Sequence, residues 1–178
     1  METVKQSLSI PLKLGVFIGL VYSVLIFIEN KFFYSNPIQF GIVKLLGYSI
    51  VISGYFYTGY LSRKEAGGYI TFQECLKAML LAIAITELIY LMFSILYIKV
   101  IDPFFIEKMK AASLAFLQRA KMPEEQINEQ MKGFNEAGKI TIWNQIQAYG
   151  FSIIIDAVFA LIFAAILKKP KPNFDNQL

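Results

Sequence analysis

The sequence predicts an all-α, polytopic membrane protein: four transmembrane helices, with an extramembrane amphipathic helical hairpin between the third and the fourth. Three observations predict it. The composition is 56% hydrophobic and only 17% charged, whereas a soluble domain carries about 25% charged residues. Four runs are long and apolar enough to cross a hydrocarbon core of about 30 Å, which takes roughly 20 helical residues. The one long segment between such runs repeats its apolar residues at helical spacing and spreads its charges over the other faces. The mean hydropathy of +0.53 agrees, and residues 1–178 are expected to form a single membrane domain.

The first span is residues 12–33. Its strictly apolar part, 14–28, is short, and Lys13 can complete it by snorkelling to the surface. A signal peptide is the rival interpretation, but "ENKFFYSN" follows where a small-residue cleavage site would stand, so the segment is expected to be retained. The second span, 40–61, follows "SNP". There Asn36 can cap the helix, and Pro37 fits its first turn without losing a hydrogen bond. The third span, 72–98, begins at "TFQE", where Thr71 and Glu74 have capping-box spacing. The fourth, 142–167, enters through an interfacial Trp143 and stops at "KKPKP", where proline cannot extend it.

Residues 99–141 form the extramembrane segment. Asp102 and Pro103 interrupt the third span, and Phe105, Met109, Ala112 and Phe116 then form one stripe, with Glu107, Lys108, Lys110 and Arg119 off it. A second amphipathic helix starts at "PEEQ", carries Ile127, Met131 and Phe134 on one face, and is released at Gly138. Neither helix is long enough to be stable alone, so the two stripes are expected to pack together or to lie along the membrane. The alternative use of residues 104–138 is as a docking surface for another envelope protein.

Orientation follows lysine and arginine. Lys5, Lys13, Arg63, Lys64, Lys77, Lys168, Lys169 and Lys171 fall on one side, which places the N- and C-termini in the cytoplasm. The opposite side receives the 99–141 segment, whose seven basic residues are nearly balanced by six acidic ones.

Several chemistries are excluded. There is no histidine and one cysteine, Cys75, which removes an internal disulfide, the usual haem ligand and the commonest zinc ligand. Metal and cofactor sites are not expected. The basic residues are dispersed, so no nucleic-acid partner is expected either. Without histidine the usual nucleophile-and-base arrangements cannot be built, and an enzyme is not expected. A lipid-directed enzyme would have only Glu29, Glu74 and scattered lysines near an interface. Gly67 and Gly68 in "EAGGYITF" lack the phosphate-loop lysine and read as a turn, and "PEEQINEQ" reads as a solvated acidic face.

Charges inside the spans remain. Glu87, within "AIAITELIYLMF", and Asp156 both fall at mid-bilayer, where an ionised acid costs about 3 kcal/mol on insertion scales, so each should face the bundle interior. Gln145, Tyr149, Ser152, Asp156, Ala160 and Ala164 recur at steps of three or four and form one polar-then-small stripe. Glu87 shares its face with Ala84, Tyr90 and Ser94. The candidate intramembrane polar site is therefore Glu87, Asp156, Tyr149, Ser152 and Gln145. It has two readings: acids hydrogen-bonded across packed helices, or a proton- or cation-handling pair reached by a hydrated route. Lys44 lies too near an interface to be the counterion. Gly15 with Gly19, and Ser49 with Ser53, are packing signals as readily as dimer signals, while Tyr55, Phe56, Tyr57 and Tyr60 fit an interfacial aromatic belt.

The order of parts carries a resemblance: a basic N-terminus, two close spans, "GGYITFQECLKAML", a third span ending in "IDPFF", the "MPEEQINEQM" hairpin, and a last span closing with "AAILKK". Over nearly its whole length the chain resembles the bacterial domain of unknown function 4199 family of small integral membrane proteins. The resemblance implies a four-helix protein of the bacterial cytoplasmic membrane and carries over no reaction, ligand or site residue. The leading expectation is a nonenzymatic structural or interaction role in the envelope, with the lipid bilayer, an envelope protein and other copies of the chain as partners. The alternative is a small proton- or cation-linked permease or channel.

Overall fold

The structure is a computed structural model. Described here are the backbone of residues 8–137 and 142–171 and the side chains of 8–132 and 143–171. Lys5, Gly138 and the Phe134 side chain, all used in the sequence argument, lie outside that description.

Local signals set the helix boundaries. Helix α1 is Ser9–Phe32, and α2 is Pro37–Glu65. Asn36 caps α2 as its sequence implies, its side-chain oxygen accepting from the Ile38 and Gln39 amides at 3.1 and 3.3 Å. The helix runs past the expected 61 because Arg63, Lys64 and Glu65 carry it beyond the apolar run. It stops at Gly67 and Gly68, whose φ of +76° and +88° demand glycine. Helix α3, Phe72–Leu96, opens with a complete capping box: Glu74 accepts from the Thr71 amide at 2.9 Å, and Thr71 accepts from the Glu74 amide at 3.3 Å. Its last turn, Tyr97–Ile101, widens to a π-helix, closed by the Asp102 amide donating to the Tyr97 carbonyl at 2.8 Å. Helices α4, Phe105–Arg119, and α5, Glu124–Ala137, form the hairpin, and α6 is Ile142–Leu167.

Among the described residues four helices are long and apolar enough to cross a membrane: Ser9–Phe32, Pro37–Glu65, Phe72–Ile101 and Trp143–Leu167. Their outer surfaces carry Phe17, Leu45 and Ile154, each more than 60% exposed, whereas threonines, tyrosines and three acids are buried inside. That inversion of the usual soluble pattern fits hydrocarbon as the solvent. The chain is a membrane protein.

Helix α3 touches α1, α2 and α6, and α2 touches the same two flanking helices. The contacts fix direction. Gly15 faces Ala82 and Gly19 faces Ile89, so α1 runs parallel to α3. Phe56 meets Phe163 edge-on at 5.3 Å, and Gly59 meets Leu167, so α2 runs parallel to α6. The GxxxG pair is thus spent inside the chain, on the α1–α3 seam, where Thr86 also donates to the Gly15 carbonyl at 3.0 Å. Ser49 and Ser53 face outward and bond back to their own helix. One end of the bundle is closed by Ile70 and Lys169 exchanging backbone hydrogen bonds at 2.9 and 2.8 Å, and by Arg63 donating to the Leu167 carbonyl. The hairpin sits at the other end.

In the hairpin, α4 buries Phe105, Ser113 and Leu117, and α5 buries Met131. The α4 stripe is therefore rotated by about one residue from Met109, Ala112 and Phe116, which are half-buried. Lys108 pairs with Asp102 at 2.8 Å, pinning the α4 start to the π-turn exit.

A candidate intramembrane polar site

All four spanning helices contribute to one polar cluster at their mid-length. Its acids are Glu87 from α3 and Asp156 from α6, only 1% and 0% exposed. Both reach the interior, as the helical stripes require, and they lie within electrostatic range of each other. No lysine or arginine occurs in the middle of any span. The cluster has to be neutralised by protons, hydrogen-bond donors or a bound cation.

Hydroxyl groups surround the pair. Tyr48 of α2 donates to Asp156 Oδ1. Ser152, one turn before Asp156, reaches Glu87 Oε2 at 2.5 Å and the Tyr149 carbonyl at 2.9 Å. A serine has one hydroxyl hydrogen, and a carbonyl can only accept. When Ser152 donates to Glu87, the acid is free to be ionised; when it donates to Tyr149, its contact with Glu87 is a hydrogen bond only if Glu87 carries the proton. Ser152 therefore has a bonded state for either form of Glu87.

Asp156 is less complete. Its second oxygen, Oδ2, and the Tyr55 hydroxyl are both buried, and neither makes a hydrogen bond of standard geometry although the two groups interact electrostatically. Buried polar atoms are nearly always partnered, and each of these two has the other within interaction range. On the α1 side of Glu87, Tyr22 and Tyr90 stack with ring centroids 5.0 Å apart.

The outer part of the α6 stripe is a seam between helices. Gln145 accepts from Ser94 at 3.4 Å, and Tyr149 donates to the Ala84 carbonyl at 3.5 Å. Ala160 and Ala164 are fully buried at the opposite end. Of the five candidate residues, Glu87, Asp156 and Ser152 form the cluster, while Gln145 and Tyr149 bind α6 to α3 above it.

Sequence reasoning missed the tyrosines. Tyr55 does not belong to the aromatic belt; it is fully buried in the core. Tyr57 and Tyr60 do lie outside and stack on each other at 6.3 Å. The spacing that finds Tyr55 is Tyr48, Val51, Tyr55, Thr58, Ser62, steps of three and four that repeat the α6 pattern on α2. Glu29 was also misplaced by sequence: it is 5% exposed, inside the hairpin end of the bundle. Lys44 stays exposed, its ammonium 5.8 Å from the Phe40 ring, in electrostatic reach of Glu29 and not of the central pair. Among the described residues no group of three metal-ligating side chains is present.

A family model, described as a protein of unknown function (DUF4199), matches residues 13–169. The chain belongs to that family. The match runs from the start of α1 to the Lys169 bridge, so in this DUF4199 protein the family region holds every residue of the polar cluster and the whole hairpin. No curated protein and no solved structure matches the chain.

Proposed function

We propose that this protein handles ions within the membrane, as a small proton- or cation-linked permease or channel whose binding pair is Glu87 and Asp156. One observation carries the proposal: a fully buried carboxyl oxygen, Asp156 Oδ2, stands within interaction range of an equally buried Tyr55 hydroxyl, and neither makes a hydrogen bond of standard geometry. A purely structural pair would gain by satisfying both atoms, since each buried unpaired group costs about 1–3 kcal/mol. A proton, or a small monovalent cation with its water, meets that need and removes the net charge. Ser152 fits the same role because it keeps a bonded partner whichever form Glu87 takes. We place the protein in the bacterial cytoplasmic membrane with both termini in the cytoplasm, on the distribution of lysine and arginine. Four helices enclose little space, which favours an oligomer.

The test is flux in liposomes containing purified protein, driven by a potassium-diffusion potential and followed with an entrapped pH dye or sodium indicator. Wild type should conduct, and Asp156→Asn and Glu87→Gln should each lose the flux. Wild-type rates in both variants would reject the site.

Docking of an envelope partner on residues 104–138 is the second reading, favoured by the exposed acidic face of α5 at Glu124, Glu125 and Glu129. Phe105 and Met131 of its apolar stripes are buried, while Met109, Phe116 and Ile127 stay half-buried. Deleting the hairpin should abolish a crosslinked partner in native membranes if that reading holds.

A further inference from the structure

We infer that Glu29 is the loading group through which the central pair exchanges protons with water at the hairpin end, with Tyr22 and Tyr90 lying between them. The inference rests on the ion-handling reading and narrows the ion to a proton.

Glu29 has no evident structural reason to be where it is. It occupies the last turn of α1, where the helix dipole disfavours a negative charge, and it is buried. An acid kept in such a place is a functional candidate in a membrane helix. In electrostatic reach of it are Lys44 of α2, Tyr90 of α3 and Tyr22 of its own helix.

The tyrosines connect it to the centre. Tyr90 follows Glu87 by three residues and so shares its face of α3. Its ring stacks on Tyr22 at 5.0 Å. Tyr22 precedes Glu29 by seven residues, two turns on the same face of α1, a rise of about 10 Å. Both rings lie in the fields of Glu87 and of Glu29. The route therefore follows the α1–α3 side and needs water to complete the step from Tyr22 to Glu29. The competing path along α6 is occupied by the Ser94–Gln145 and Tyr149–Ala84 hydrogen bonds.

The proton balance is simple. Glu29 takes a proton from water and becomes neutral. Each hydroxyl along the route gives up one proton as it receives another, so no tyrosinate accumulates. The proton ends on the Asp156 or Glu87 carboxylate, and Glu29 returns to its anionic form. Lys44 lies in electrostatic reach of that anion, makes no ion pair with it among the described residues, and carries no proton along the route.

The test uses the same proteoliposomes, with a pH jump applied to the hairpin side. Glu29→Gln should slow proton uptake by roughly tenfold or more, as loss of a proton-transfer group does, while Glu29→Asp keeps most of the rate. Lys44→Met should leave uptake near wild type. If Glu29 served only as an ion-pair partner, Lys44→Met would fall as far as Glu29→Gln, and that result overturns the inference. So does wild-type uptake in Glu29→Gln when Asp156→Asn is inactive, an outcome that leaves the central site standing. Absence of flux in wild type removes the ion-handling reading and this inference with it. Should Glu29→Gln fail to fold, dicyclohexylcarbodiimide can be applied to the intact wild type. Uptake lost in step with labelling of Glu29 supports the role, and loss without that label overturns it.

Discussion

Tyr48 donates its hydroxyl to Asp156 across 108 positions of sequence, clasping α2 to α6 at the depth where neither helix has water to turn to. The bond is one of two polar links that hold the acids, the other being Ser152 to Glu87. Tyr48→Phe preserves the ring and removes only the donor. It should destabilise the bundle by about 1–3 kcal/mol, the cost of leaving a buried acceptor unpaired, read as a lower apparent melting midpoint in detergent. Asp156→Ala, which removes the acceptor, should cost less in the Tyr48→Phe background than alone, because the two share one interaction. Additive effects would mean that the clasp is not energetically real.

The α1–α3 seam makes a sharper steric prediction. A Cβ at Gly15 would lie 2.9 Å from the Ala82 carbonyl oxygen, and one at Gly19 would lie 2.9 Å from Ile89 Cβ, whereas nothing lies within 4 Å of one at Gly41. Gly15→Ala and Gly19→Ala should each destabilise by about 1–3 kcal/mol through overpacking. Gly41→Ala should be neutral or slightly stabilising, since glycine inside a helix is itself costly. Thermal unfolding of the three variants in one detergent checks the ranking, and equal midpoints would count against the seam.

What was legible in the sequence was local. The Asn36 cap, the Thr71–Glu74 box and the Gly67–Gly68 turn depend on residues a few positions apart, and each is present where its spacing put it. The depth of Glu87 and Asp156 was legible for a similar reason, because counting residues along an apolar run measures distance in a bilayer. The Tyr55 environment was not: a tyrosine in a span suits the interface and the interior equally well, and only the neighbouring helices decide. Glu29 stands near the end of its apolar run, so counting alone put it in water, while the inward facing of α1 was set by Gly15, Gly19 and Tyr22 against α3. The π-turn at Tyr97–Ile101 leaves no mark in hydropathy.

Ser152 separates a passive cluster from a responsive one. Ser152→Ala removes the hydroxyl that bonds Glu87 in either of its forms and leaves the Tyr48–Asp156 clasp untouched. If the pair only holds helices together, the variant should lose stability and nothing else. If it exchanges a proton, flux should fall and its dependence on pH should move relative to wild type, even at temperatures where the bundle is intact by gel filtration. Measuring flux across pH for both proteins decides between them, and coincident profiles would favour the structural role.

Orientation has its own test, because the two ends of the bundle differ in what they expose. Ile70 and Lys169 are joined at one end, beside exposed Lys64, Lys168 and Lys171, while exposed Ala120 and Lys121 mark the tip of the hairpin at the other. Cys75 is fully buried, so the unmodified chain should resist a membrane-impermeant maleimide, and Cys75→Ser gives a clean background. Single cysteines at 120 and at 171 should then label oppositely in intact cells: position 120 at once, position 171 only after permeabilisation. The reverse pattern would place the hairpin in the cytoplasm despite its near-balanced charge. It would also turn the Glu29 end of the bundle inward, so that a proton entering there would come from the cytoplasm.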